Sequence, residues 1–148
     1  MINYSAPDLT QYPPRSPRVR LGGYVHLARL LDKARAFAAG KNGDYNYNCG
    51  MDAHFFTFTG INHEALLAEV KKGGSDSEML EWVRANVKRT AMEILAWSDW
   101  LEKHSQGGVE GHGKVATVIK LRGPARDDIR TFFDVLDLDD YASFGGKA

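Results

Sequence analysis

The chain has 148 residues, 43% apolar and 26% charged, which suits one domain with a single core and excludes a disordered or fibrous protein. Its 19 Lys and Arg cancel its 19 Asp and Glu, so it lacks the positive field that draws a protein onto nucleic acid. The single cysteine excludes an internal disulfide and a multi-cysteine zinc cage, and with no run of about 18 apolar residues and no apolar leader core the sequence predicts a cytoplasmic protein without membrane contact.

The opening APDLTQYPPRSPRVRLGG is rich in proline, which holds the backbone extended and keeps a helix from starting. Residues 1–23 are therefore expected to form an arm. Residues 11–41 hold Arg15, Arg18, Arg20, Arg29, Lys33, Arg35 and Lys41 against Asp32 alone, while the rest of the chain is net acidic. This basic segment either docks on the acidic remainder or forms an anion-binding patch.

YVHLARLLDKARAFAAG predicts a helix over about 24–39. Leu27, Leu30, Leu31, Ala34, Phe37 and Ala38 share one face within about 80° of Leu27, and Gly40 supplies the left-handed stop. Tyr24 and Arg35 flank that face, and Asp32 and Arg35 are spaced to pair along it. KNGDYNYN is turn chemistry leading into a polar, aromatic loop.

Asp52 is placed as the N-cap of AHFFTFT, although alternating Phe56-Thr57-Phe58-Thr59 also fits a strand. Asn62 caps HEALLAEVKK, with Ile61 and Leu66 spaced as a hydrophobic staple, and Gly73-Gly74 end it. From Ser75 onwards the apolar positions Met79, Val83, Val87, Ile94, Trp97 and Leu101 stay in phase. A single helix over 76–104 would span about 43 Å, longer than the ~38 Å diameter of a compact domain of this size. A break is expected near Thr90, whose spacing to Glu93 repeats the capping box of Ser75 and Glu78.

SQGGVEGHGK, residues 105–114, suggests a flexible glycine-rich loop. VATVIKL, residues 115–121, fits strand or helix equally. Pro124 is placed to open a helix through ARDDIRTFFDVLD, and the tail from Tyr141 is expected to fray. These elements give a mainly α fold of five to six helices in one compact domain, with an extended Pro/Arg-rich N-terminal arm.

The stretches PPRSPRVRLGGY, LLDKARA, GKNGDYNYNCGMD, FFTFTGI and DDIRTFFDVLDLDDY together resemble a family of short bacterial proteins known only as a domain of unknown function. The likeness runs from about Asp8 to Tyr141. It implies that Arg15 and Arg18 of the arm, Asp32, Lys33 and Arg35 of the first helix, and Tyr47, Asn48, Cys49 and Asp52 of the loop are recurring elements. It implies no activity and no catalytic residue.

Two functional readings follow from the residues. In the first, a binding or interaction module holds a small anionic ligand, or an acidic segment of a partner protein, through Arg15, Arg18, Tyr24, Asp32, Arg35, Tyr47, Asn48, Cys49, Asp52 and His54. Guanidinium groups grip carboxylate or phosphate bidentately, and Tyr and Asn add neutral hydrogen bonds. The same residues suffice for a structural clamp on an arm that has few other neighbours. In the second reading, a small enzyme uses Cys49 or Asp52 with His54, or His26, as base. The histidines at 26, 54, 63, 104 and 112 show no tight ligand spacing, so no metal is expected, and no motif calls for a cofactor. DVLDLDDY lacks the glycine and terminal glutamate of a calcium loop, and GGVEGHGK lacks the Walker spacing.

Overall fold

A computed structural model describes residues 1–105 and 109–148. The chain is mainly α, a single compact unit with helices α1 (Leu27–Ala38), α2 (Gly50–Thr59), α3 (His63–Val70), α4 (Asp76–Asn86), α5 (Ala91–Glu102), α6 (Val109–Arg122) and α7 (Phe132–Ser143). The count among the described residues is seven, not five to six, and no strand is present among them. An isolated bridge joins Leu21 and Tyr24. No helix among the described residues is long and apolar enough to cross a membrane.

α1 is the axis of the molecule, and every residue from Leu27 to Ala36 is buried. Its apolar stripe of Leu27, Leu30, Leu31 and Ala34 meets Phe55 of α2, Leu66 of α3, Val83 of α4, Leu101 of α5 and Phe133 of α7. Each such side chain stabilises the fold by roughly 1.5–3 kcal/mol through burial. Tyr24 sits in the same core, edge-on to Phe55, Phe58 and Trp97. Trp97 stacks on Phe58 with centroids 4.9 Å apart. α6 packs on α7 and buries only Val115.

Helix starts follow side-chain capping. Asn62 accepts from the Glu64 and Ala65 amides, and Ser75 with Glu78, Thr90 with Glu93, and Thr131 with Asp134 form reciprocal boxes. The break expected near Thr90 is real: Val87 leaves helical geometry at φ −124, ψ 128, and α5 begins after Thr90.

Four boundaries differ from the sequence expectation. α1 begins at Leu27 rather than about 24, because His26 adopts a left-handed backbone with φ 66 and the preceding turn is tied to α5. There the Val25 amide donates to Ser98 Oγ, whose hydroxyl donates to the Gly23 carbonyl at 2.6 Å. The cap of α2 is Cys49, not Asp52; Asp52 stands three residues into the motif and accepts the Cys49 amide. Of the loop expected over 105–114, residues 106–108 lie outside the described residues, and 109–114 form the first turns of α6. Gly111 and Gly113 each cost a helix about 1 kcal/mol, while a Lys114–Glu110 pair one turn apart helps to hold it. The same helix takes up 115–121. α7 starts at Phe132, well after Pro124, because Thr131 and Asp134 cap it there, and it runs through Tyr141 to Ser143 instead of fraying.

Gly22 shows where backbone freedom is required. Its φ is +60, and a Cβ there would stand 2.3 Å from Leu80 Cδ1. The arm therefore enters α1 only by passing directly over α4.

Candidate functional site

The arm folds back on the body through its arginines. Arg15 makes a bidentate contact with Asp32 of α1, Nε and Nη2 each at 3.0 Å from a carboxylate oxygen, and reaches Asp76 at 2.7 Å through Nη1. Arg35 also holds Asp76, at 2.8 Å, and donates to the Gly74 carbonyl. Its distance to Asp32 is 3.9 Å, so the pairing along the flank of α1 is the weakest of the set. Arg18 grips Asp134 and Asp137 of α7, and Arg20 grips Asp99 and Glu102 of α5. The acidic run of α7 serves as a dock for cations, since Asp140 in turn holds Arg29 at 2.6 Å in a buried pair. The basic segment thus docks on the acidic remainder.

A second, deeper cluster lies on the other side of α1. Arg29 and Lys33 lie four residues apart on one side of α1, and His26, just before the helix, turns its ring towards the same acid that Lys33 holds. In an isolated amphipathic helix this side would face water. Here the 43–49 loop, α2 and α7 cover it. Asp52 is fully buried and sits 2.7 Å from His26 Nε2, and it takes hydrogen bonds of 2.7 and 2.8 Å from Lys33 Nζ. Lys33 also donates to the Asn46 carbonyl at 3.1 Å and to Cys49 Sγ at 3.2 Å.

The electrostatics of this cluster are asymmetric. Burial pushes the Asp52 carboxyl up, but the His26 hydrogen bond and the Lys33 charge outweigh it and hold the group at about 2. Burial pushes His26 down from its ordinary value despite the neighbouring carboxylate. Asp52 is therefore ionised and His26 neutral, and the proton between them sits on Nε2. The other ring nitrogen, Nδ1, is buried and has no hydrogen-bond partner among the described residues.

Over the cluster opens a cavity of about 520 Å³. Its polar wall includes His26, Arg29, Lys33, Tyr45, Cys49 and Arg122, and Leu9, Met51, Leu136 and Phe144 form the apolar one. Tyr45 closes one side: its hydroxyl donates to Asp140 at 2.7 Å and its ring lies under the Arg29 guanidinium. Burial and the Asp140 contact raise its hydroxyl above the ordinary phenol value, so it stays protonated. Among the described residues no group of three or more His, Cys, Asp or Glu converges to hold a metal ion.

A family model matches residues 11–142. The chain belongs to DUF5069, a domain of unknown function. No curated protein matches it. The span assigned to DUF5069 contains both charged clusters and most of the cavity, while Leu9, Thr10, Ser143 and Phe144 of the cavity wall fall outside it.

The structure divides the residues singled out in this DUF5069 chain. Arg15, Asp32 and Arg35 come together, with Asp76 as the member that sequence spacing did not reveal. A shallow cleft passes over Arg15, Arg35 and Asp76, but their charges are spent on one another. Arg18 stands apart, paired from its place in the arm with Asp134 and Asp137 of α7. Tyr24 is a core residue, and Tyr47 donates its hydroxyl to the His63 carbonyl at 2.6 Å. Asn48 is exposed, with a left-handed backbone at φ 62. Cys49 and Asp52 join Lys33 and His26. His54 does not join them: it packs against Trp100 and His104. Arg29, Tyr45 and Asp140 complete the deeper site. Sequence spacing gave no signal for pairing Arg29 with Asp140, which lies 111 residues further along the chain.

Proposed function

We propose that this DUF5069 chain is a binding module for a small organic acid, held in the cavity over Lys33 with its apolar body against Leu9, Met51, Leu136 and Phe144. The observation that carries this reading is the cavity itself, about 520 Å³, within the range typical of small-molecule sites. Of the cations Arg29, Lys33 and Arg122 on its wall, the first two are paired with Asp140 and Asp52, so Arg122 is the one that can turn to an anion. Arg122 spends only its Nε on Asp139, which leaves the terminal nitrogens of its fork to grip an anion. The arm arginines act as the clamp that keeps α1 in place beneath.

Ligand-detected NMR with a set of small organic acids tests the proposal. Binding should be lost in Met51→Trp, which fills the cavity, and weakened in Arg122→Gln. Binding indifferent to both substitutions, or no binding by any acid, would sink it.

The second reading, a small enzyme using Cys49 or Asp52, is favoured by one observation: Asp52 holds a neutral imidazole beside the thiol-bearing loop. The base in that reading is His26 rather than His54. Mass analysis of any bound acid after long incubation with the protein decides it, since an unchanged ligand leaves only the binding module.

A further inference from the structure

The wall of the cavity carries free carboxylate oxygens as well as a free guanidinium edge. Arg122, the last residue of α6, and Asp139 of α7 meet at 3.0 Å through Nε and one carboxylate oxygen. The terminal nitrogens of Arg122 and the second oxygen of Asp139 have no partner among the described residues. The two side chains are 42% and 44% exposed, so a ligand entering from solvent reaches both. Because they are already joined, their free ends lie close together, and one small head group that carries both charges can meet both at once. Asp44, on the loop side of the wall, makes no ion pair or hydrogen bond among the described residues.

The charges on this wall set the ligand class. Arg29 is matched by Asp140, Lys33 by Asp52 and Arg122 by Asp139, which leaves the Asp44 charge over. A ligand that is only an anion gains at Arg122 and is repelled by Asp139 and Asp44. One that also carries an ammonium turns that repulsion into attraction. We propose that the ligand of this cavity is an α-amino acid with an apolar side chain. The Arg122 fork grips its carboxylate, the free oxygen of Asp139 takes its ammonium within the field of Asp44, and its side chain lies against Leu9, Met51, Leu136 and Phe144. This rests on the cavity reading above and narrows its organic acid to a zwitterion.

The test titrates the full chain by calorimetry with two matched series: phenylalanine, 3-phenylpropanoate and 2-phenylethylamine, and leucine, 4-methylpentanoate and 3-methylbutylamine. In at least one series the amino acid should bind about fivefold or more tighter than the acid and the amine, each of which lacks one anchor. Asp139→Asn keeps an oxygen for Arg122 and removes the charge that meets the ammonium. As a change at a half-exposed position it leaves the fold intact, and the preference for amino acid over plain acid should fall severalfold. Equal affinity of wild type for the amino acid and its plain acid, or a preference that survives in Asp139→Asn, would overturn the zwitterion and leave the cavity reading standing. So would failure of both amino acids while other organic acids bind. An amine bound as tightly as the amino acid would remove the Arg122 anchor and end the proposal. No binding by either series, together with failure of the wider acid set, would overturn both readings.

Discussion

Asp52 and His26 meet at 2.7 Å in a place where neither side chain touches solvent, and Lys33 closes on the same carboxylate from the other side. One acid thus satisfies a neutral ring and a buried ammonium at once. Replacing Asp52 by Asn would leave the Lys33 charge buried without a counterion. Asp52→Asn should therefore lower the free energy of unfolding by about 3 kcal/mol or more. The double variant Lys33→Met with Asp52→Asn should recover part of that loss. Urea titration measures both.

Acid should unfold the protein in two stages. His26 is held below its ordinary value of 6.5, so the unfolded chain binds its proton first, and stability is full above that pH and falls as pH drops below it. Asp52, held at about 2 against an ordinary 3.8, contributes about 2 kcal/mol that is present above pH 4 and lost as pH falls towards 2. The groups facing the imidazole are Asp52, Lys33 and Arg29. His26→Gln should remove the first stage and keep the second, as read from melting temperature against pH.

The arm contacts differ in worth according to burial. Arg15→Ala would strand Asp32, whose side chain is 2% exposed, and should cost about 3 kcal/mol. Arg20 faces two acids at the surface, and Arg20→Ala should cost less than about 1 kcal/mol. Equal effects in chemical denaturation would contradict the clamp.

Gly22→Ala tests the crossing of the arm over α4. The added methyl meets Leu80 and the left-handed backbone is strained, so about 2 kcal/mol of stability should be lost. Leu80→Ala combined with Gly22→Ala should relieve the clash and not the backbone strain. Additive losses in the double variant would disprove direct contact.

Thr131→Ala should lower stability by about 1 kcal/mol, because the Thr131 hydroxyl accepts the Asp134 amide at the start of α7. Hydrogen exchange should show the loss at the first turn of that helix.

Local chemistry was legible in the sequence because it acts over three or four residues. The caps at Asn62, Ser75 and Thr90, the apolar face of α1 and the break before α5 each follow from spacing along the chain. The sequence by itself also showed that basic and acidic residues are segregated along the chain, which left docking on the acidic remainder and an anion-binding patch both open. Which carboxylate meets which cation was decided only by tertiary structure: Asp76 is 61 residues from Arg15, and Asp140 is 111 from Arg29. The start of α1 was misplaced for the same reason, because Ser98, 75 residues from Gly23, holds the preceding turn out of the helix. The candidate site was half visible, in Cys49 and Asp52, in His26 as an alternative base and in Lys33 through the family resemblance, while Arg29 counted only as one charge of the basic segment, and nothing showed that these cations share a buried face of α1. They became a site because α7 and the 43–49 loop close over that face, and a helix carries in its own sequence no record of which distant segments will exclude water from it.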